Sequence, residues 1–203
     1  MSRWNLLLER MPELDTARLD GFTEELLRWN KAIRLVGPGD IEGVALQITD
    51  SLLPLLVAPP AFPLLDIGSG AGLPAIPLAI AHPGEEICCL EPRAKRVSFL
   101  RHAARLLGLA SVKVVEGRAD PARPPLPEMA GAFRCATARA VSDIPTLLGW
   151  AFPCLAPGGE VLLGRGGGEA PPEVRGWRIT RLLEYRGAES LGKRYVVGYS
   201  RQP

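Results

Sequence analysis

Asp66-Ile67-Gly68-Ser69-Gly70-Ala71-Gly72-Leu73-Pro74 is the stretch on which the fold turns. Ahead of it, residues 62–67 form a short apolar run that stops at glycine, the mark of a buried strand. Behind it, residues 73–81 read as a helix. The glycines between them allow a sharp strand-to-helix turn and let backbone approach a ligand without a Cβ in the way. The same rhythm continues outward with a strand at 86–91, a helix at 94–108 and a strand at 111–116. Such alternation predicts an α/β, Rossmann-like domain with a mostly parallel, doubly wound sheet flanked by helices. Past a proline-rich connection at 121–127, a strand at 133–138, a helix at 143–155, a tight turn at Pro157-Gly158-Gly159 and a strand at 160–164 follow. Residues 166–172 read as a loop. Residues 179–185 and 194–200 alternate as an antiparallel pair at one sheet edge. Upstream, Asp15 and Asp40 are N-cap candidates for helices at 15–31 and 40–57, the second closed by Pro59-Pro60. Residues 1–60 thus read as a helical cap on a Rossmann-like core at 61–203, together one domain.

Composition excludes several classes. Hydrophobic residues make up 47% and charged residues 23% of 203, ordinary for a soluble globular chain. No apolar run approaches the ~18 residues of a membrane span, and Met1 to Arg10 lacks the apolar core of a signal peptide. Cys88, Cys89, Cys135 and Cys154 form no C-x-x-C pair, and neither His82 nor His102 has ligand spacing to them, so no metal site is expected. Reduced thiols agree with a cytoplasmic address. Net charge is only +2, but 20 of the 24 basic residues are Arg. Guanidinium groups fork onto phosphates and stack on bases, so Arg-rich stretches at 93–105 and 175–194 suit RNA contact; genome composition is the alternative cause.

The glycine spacing is G-x-G-x-G, not the G-x-G-x-x-G that cradles a dinucleotide pyrophosphate. Together with the acid before it, this points to S-adenosylmethionine and to Gly68 and Gly70 as contacts, the alternative being a purely structural turn. Glu91 lies 23 residues after Gly68 at the end of the second strand, where an acid can accept both ribose hydroxyls of an adenosine. Gly117-Arg118-Ala119-Asp120 follows the third strand, and Asp120 can bond the adenine amino group beside the Ala119 backbone.

These residues belong to a longer series: Trp29-Asn30-Lys31, Asp50-Ser51-Leu52, the block 65–77, Lys95-Arg96-Val97-Ser98-Phe99-Leu100 and Glu116-Gly117-Arg118-Ala119. Thr137-Ala138-Arg139-Ala140, Leu155-Ala156-Pro157-Gly158-Gly159, Arg165-Gly166 and Lys193-Arg194-Tyr195-Val196-Val197 complete it. In this order, over about residues 20–200, the chain resembles the RsmG (GidB) family of bacterial 16S ribosomal RNA guanine-N7 methyltransferases. The resemblance implies methyl transfer from S-adenosylmethionine to N7 of a guanine in the 530 loop, on naked 16S rRNA or the small-subunit particle. No metal or obligate protein partner is implied. It places cofactor contacts at Gly68, Leu73, Ala119, Asp120 and Arg139, and RNA contacts at Arg118, Arg139, Arg165 and Arg194. Arg139 is also the candidate catalytic residue, with a structural ion pair as its alternative role. Three stretches depart from the family: Arg34-Leu35-Val36 replaces Asn-Leu-Thr, Gln47 replaces a His, and Arg165-Gly166 replaces Lys-Gly.

The residues agree with an N7 target. Guanine N7 carries an in-plane lone pair and no proton, so attack on a sulfonium methyl needs no general base, and alignment and electrostatics suffice. No Asn/Asp-Pro-Pro-Tyr/Phe follows the fourth strand, as an exocyclic-amine enzyme would show. A nicotinamide-dependent oxidoreductase and a non-catalytic RNA-binding factor are the competing readings. The glycine spacing disfavours the first and the intact cofactor motif the second.

Overall fold

Neighbouring side chains of the short apolar runs point to opposite faces of one sheet. Leu64 and Leu65, Cys89 and Cys88, and Leu162 and Leu163 divide in this way between two hydrophobic clusters, one on each face. The computed structural model describes residues 2–139, 141–166, 170–187 and 192–202. Its strands are β1 (Leu64–Ile67), β2 (Ile87–Glu91), β3 (Val112–Glu116), β4 (Phe133–Thr137), β5 (Leu155–Gly166), β6 (Trp177–Arg186) and β7 (Lys193–Arg201). They lie in the order β3-β2-β1-β4-β5-β7-β6. Strands β1 to β5 run parallel, and β7 is antiparallel to both β5 and β6. The order reverses at β1, between β2 and β4, which is where open α/β sheets bind their ligands.

The helices are α1 (Asn5–Leu8), α2 (Thr16–Ile33), α3 (Ile41–Val57), α4 (Ala75–Ala81), α5 (Ala94–Leu106) and α6 (Ile144–Ala151). Asp15 caps α2 by accepting from the Arg18 amide, and Asp40 caps α3 by accepting from Gly43. Helices α1 to α5 share one cluster: Trp4, Leu7, Phe22, Leu26 and Ile48 pack with Ile76, Phe99 and Leu100. Helix α6 covers the other face with Ile144, Leu147 and Leu148. Among the described residues no helix is long and apolar enough to cross a membrane.

Glycine is required where α3 crosses the sheet. A Cβ at Gly164 on β5 would meet Pro54 of α3 at 2.7 Å, so only glycine permits this approach. That contact sets Asp50, one turn earlier on α3, above the ends of the central strands.

Three local readings are corrected. Pro157-Gly158-Gly159 is not a turn between elements: it lies within β5, which starts at Leu155. The register against β4 jumps from Phe133↔Leu155 to Cys135↔Glu160, so the extra residues form a bulge. Gly158 takes φ +77°, and a Cβ on Gly159 would sit 3.2 Å from the Phe133 carbonyl. The helix expected to reach 155 stops at Ala151 and tightens into a 3-10 turn, Phe152–Cys154, since Pro153 has no amide to donate. Of the expected loop at 166–172, Gly166 closes β5, while Gly167 and Gly168 lie outside the described residues, as does Ala140.

Candidate active site

A cleft of about 550 Å³ opens at the carboxyl ends of β1, β2 and β4. Its floor is the glycine turn. The Gly68 and Ser69 amides donate to the Leu90 carbonyl at 2.8 and 3.1 Å, tying the turn to β2. Gly72 holds φ +78°, and a Cβ there would strike Ile76 at 2.7 Å, so the turn depends on glycine to enter α4.

Glu91 is buried at the tip of β2, with Oε2 accepting from the Gly70 amide at 2.9 Å and Oε1 from the Arg93 amide at 3.0 Å. Each oxygen keeps acceptor capacity toward the cleft. Beneath the turn, Asp66 is fully buried. The Ser69 hydroxyl donates to the Asp66 backbone carbonyl, and neither carboxylate oxygen has a hydrogen-bond partner. Burial pushes the Asp66 pKa up to about 7; nearby Ser69 lowers it, the charge of Glu91 raises it further, and Ala75 lowers it least.

One wall of the cleft is the segment after α2, with Leu35, Val36 and Gly37. Asn30 shapes it: its Oδ1 accepts from the Leu35 and Val36 amides at 2.6 and 3.0 Å, and its Nδ2 donates to the Pro38 carbonyl at 3.2 Å. Trp29 anchors the same turn by donating from Nε1 to Glu25 and lying edge-on to Phe99 at 5.6 Å.

Arg139, just past β4, closes the other side. Its Nη1 donates to the Gln47 carbonyl at 2.8 Å and its Nη2 lies 3.6 Å from Asp50 Oδ2. Burial lowers its pKa, Asp50 raises it and Arg194 lowers it further. Arg194 lies 3.2 Å from Asp50 Oδ1, so one carboxylate faces two guanidiniums. These groups, with Arg165 and Tyr185, line a recess of about 40 Å³ that shares Arg139 with the cleft. Burial first, and Asp50 second, push the Tyr185 hydroxyl up to about 12.

Of the residues singled out in the sequence, Gly68, Gly70, Leu73, Glu91 and Arg139 come together around the cleft. Arg165 and Arg194 join Arg139 at the recess. Ala119 and Asp120 are not part of the cleft lining: Asp120 accepts from the Ala122 amide at 2.8 Å, and Ala119 packs against the cluster under α6. Arg118 is exposed on the same segment. Sequence reasoning missed Gln47, Arg93, Arg96 and Val141 in the cleft and assigned no role to Asn30 or Asp50. Asn30, Asp50 and Arg96 stood in quoted motifs, which was the available signal.

The donor set fits an adenosyl cofactor: a buried acid with spare acceptor sites, a glycine floor, and apolar walls from Leu35, Val36 and Leu73. Among the described residues no group of His, Cys, Asp or Glu could hold a metal ion.

The fold resembles that of methyltransferases of known structure. A putative O-methyltransferase from Klebsiella pneumoniae superposes with TM-score 0.61 at 18% identity, covering 98% of this chain and 96% of that one. An O-methyltransferase from Bacillus cereus, solved in complex with SAH, gives TM-score 0.55 at 18% identity over 90% and 91%. At the sequence level, ribosomal RNA small subunit methyltransferase G of Geobacter metallireducens is 36% identical over 173 residues, 81% of this chain and 77% of that protein. The protein of the same name from Wolinella succinogenes is 37% identical over 172 residues, covering 83% and 86%. Residues 15–174 match the GidB family model, described as rRNA small subunit methyltransferase G. A matching stretch that spans the glycine turn, Glu91 and Arg139 makes this chain a member of the GidB family of rRNA small subunit methyltransferases.

Proposed function

We propose that the protein transfers the methyl group of S-adenosylmethionine to N7 of a guanine in the 530 loop of 16S ribosomal RNA, in the bacterial cytoplasm. The observation that carries this reading is the pairing of a cofactor-fitting cleft with an arginine-lined recess at its edge, joined through Arg139. When bound, the cofactor supplies an electrophilic sulfonium methyl. Glu91 then accepts from the ribose hydroxyls, and Leu35, Val36 and Leu73 exclude water from the cleft. Gly68 and Gly70 leave room for close approach, and Arg139 orients the target base. Asp120 and Ala119, outside the cleft lining in the free chain, are the residues proposed to reach the adenine once the cofactor is bound.

No residue is asked to remove a proton, because N7 has none, so rate enhancement comes from alignment and from the electrostatics of the closed site. The substrate guanine lies in a loop, because the deep, narrow major groove of an A-form helix hides N7 from side chains. Exposed Arg118 and Arg165 hold phosphates around it, and Arg194 meets the RNA from the recess beside Asp50. Residues 1–60 serve as a cap that builds one wall of the cleft rather than as a separate domain.

The experiment is methyl transfer from labelled S-adenosylmethionine to small ribosomal subunits lacking the modification, and to naked 16S rRNA, with the labelled nucleotide then mapped. Label on N7 of one 530-loop guanine is the expected result. Label on another base, or none despite intact cofactor binding, would refute the assigned target.

A further inference from the structure

The recess beside Arg139 has a chemistry that a plain phosphate site would not need. Its volume of about 40 Å³ admits one or two polar atoms and no ring, so a base can enter it only by an edge. Because Arg139 lines both spaces, that edge arrives from the cleft past the guanidinium. Asp50 lines it, 3.2 Å from Arg194 Nη2 and 3.6 Å from Arg139 Nη2. A carboxylate offers about four acceptor positions, and these two ion pairs engage one oxygen each. Spare acceptors therefore sit beside the donors of Arg139, on a wall that also holds Arg165, Tyr185 and Thr137.

A phosphate brings only acceptors: the guanidiniums of Arg139, Arg165 and Arg194 would draw it, but it would leave the spare acceptors of Asp50 without a donor. An apolar edge would leave Asp50 and two arginines desolvated without partners, which is costly. The matching ligand presents donors to Asp50 and an adjacent acceptor to Arg139. Guanine does this on its Watson–Crick edge, where N1–H and the N2 amino group donate and O6 accepts. Adenine presents an acceptor at N1 and a donor at the 6 position, so its polarity is wrong on both counts.

Resting on the guanine-N7 reading above, we infer that Asp50 reads the Watson–Crick edge of the target guanine, accepting from N1–H and N2–H while Arg139 donates to O6. N7 lies on the far side of O6 and keeps its lone pair free toward the cleft. Asp50 thereby selects guanine, and Gly164 is what lets α3 descend far enough to present it.

The test crosses two enzymes with two substrates. Once the methylated guanine has been mapped, it is replaced by inosine, which keeps N1–H, O6 and N7 but lacks the 2-amino group, by ligation into 16S rRNA. Where the particle is the substrate, that RNA is reconstituted into small subunits. Wild-type kcat/KM is expected to fall about ten- to hundred-fold on inosine, the loss of one hydrogen bond to a charged group. In Asp50→Asn, kcat/KM on guanine falls while the guanine-to-inosine ratio drops toward one. An unchanged ratio in the variant, with both substrates slowed equally, would make Asp50 only a support for Arg139 and Arg194 and overturn the inference. A wild-type ratio near one overturns it without any variant, so the test survives misfolding of Asp50→Asn. Failure of the wild type to methylate any guanine N7 is a separate outcome, which removes the functional reading itself and this inference with it.

Discussion

Asp66 and Glu91 are neighbouring buried carboxylates in opposite circumstances. Glu91 receives two backbone amides, whereas Asp66 receives none at its side chain and has its pKa raised to about 7. An acid whose folded pKa lies above its unfolded value binds more protons when folded. Its favourable contribution is therefore complete below the unfolded value near 4 and is lost as pH rises through 7. A shift of this size is worth of order 4 kcal/mol across that window. Asp66→Asn should remove the dependence, so the stability of the variant should gain on wild type between pH 4 and 7 in urea titrations. A constant difference across that range would refute the assignment. For Glu91, substitution by Ala leaves the Gly70 and Arg93 amides unpaired and removes the proposed ribose acceptor. Calorimetry should show cofactor affinity reduced by about ten- to hundred-fold, with RNA affinity nearly unchanged. Parallel loss of RNA affinity would mean the two sites are not separable.

At the scale of elements, the end of α2 is the informative place. Its C-cap, Arg34, takes φ +47°, left-handed backbone that a side chain with a Cβ adopts only at a cost. The family resemblance puts Asn at this position, and Asn tolerates that conformation better. Arg34→Asn should raise stability by about 0.5–1 kcal/mol, read as a higher urea midpoint with an unchanged slope; a lower midpoint would count against strain there. One turn before it, Asn30 binds the segment 35–38 through three hydrogen bonds and so shapes the cleft wall. Asn30→Ala should cost cofactor affinity although Asn30 does not line the cleft. Equal cofactor affinity in the variant would show that the wall holds its shape without Asn30. The bulge in β5 follows the same logic, since Gly158 and Gly159 absorb residues that would otherwise break the strand.

For the whole molecule, helices α1 to α3 share a single apolar cluster with α4, α5 and one face of the sheet. Glu25 lies buried at the junction, 2.8 Å from His102 Nε2 on α5. A fragment of residues 61–203 would expose that face, so it should lack a cooperative thermal transition; a sharp transition near that of the full chain would make the cap dispensable. RNA binding belongs to this scale too, and Arg165→Ala should reduce the salt dependence of RNA affinity by about one unit of slope. The order of strands and helices, the caps at Asp15 and Asp40, the glycine turn and Glu91 were all legible along the chain, because each depends on spacing within one or two elements. Asp120 was legible as a motif yet lies outside the cleft lining, since its side chain closes a local turn at Ala122. The sequence alone thus determined the fold class and the glycine turn, through local backbone geometry and the alternation of apolar runs, and pointed to the family through the resemblance of its motifs. Only the tertiary structure decided that Asp50 and Gln47 on α3 meet Arg139, and that Asp50 also meets Arg194. The sheet order and the seating of Pro54 on Gly164 bring those side chains together, and no local spacing encodes a contact between elements so far apart in the chain.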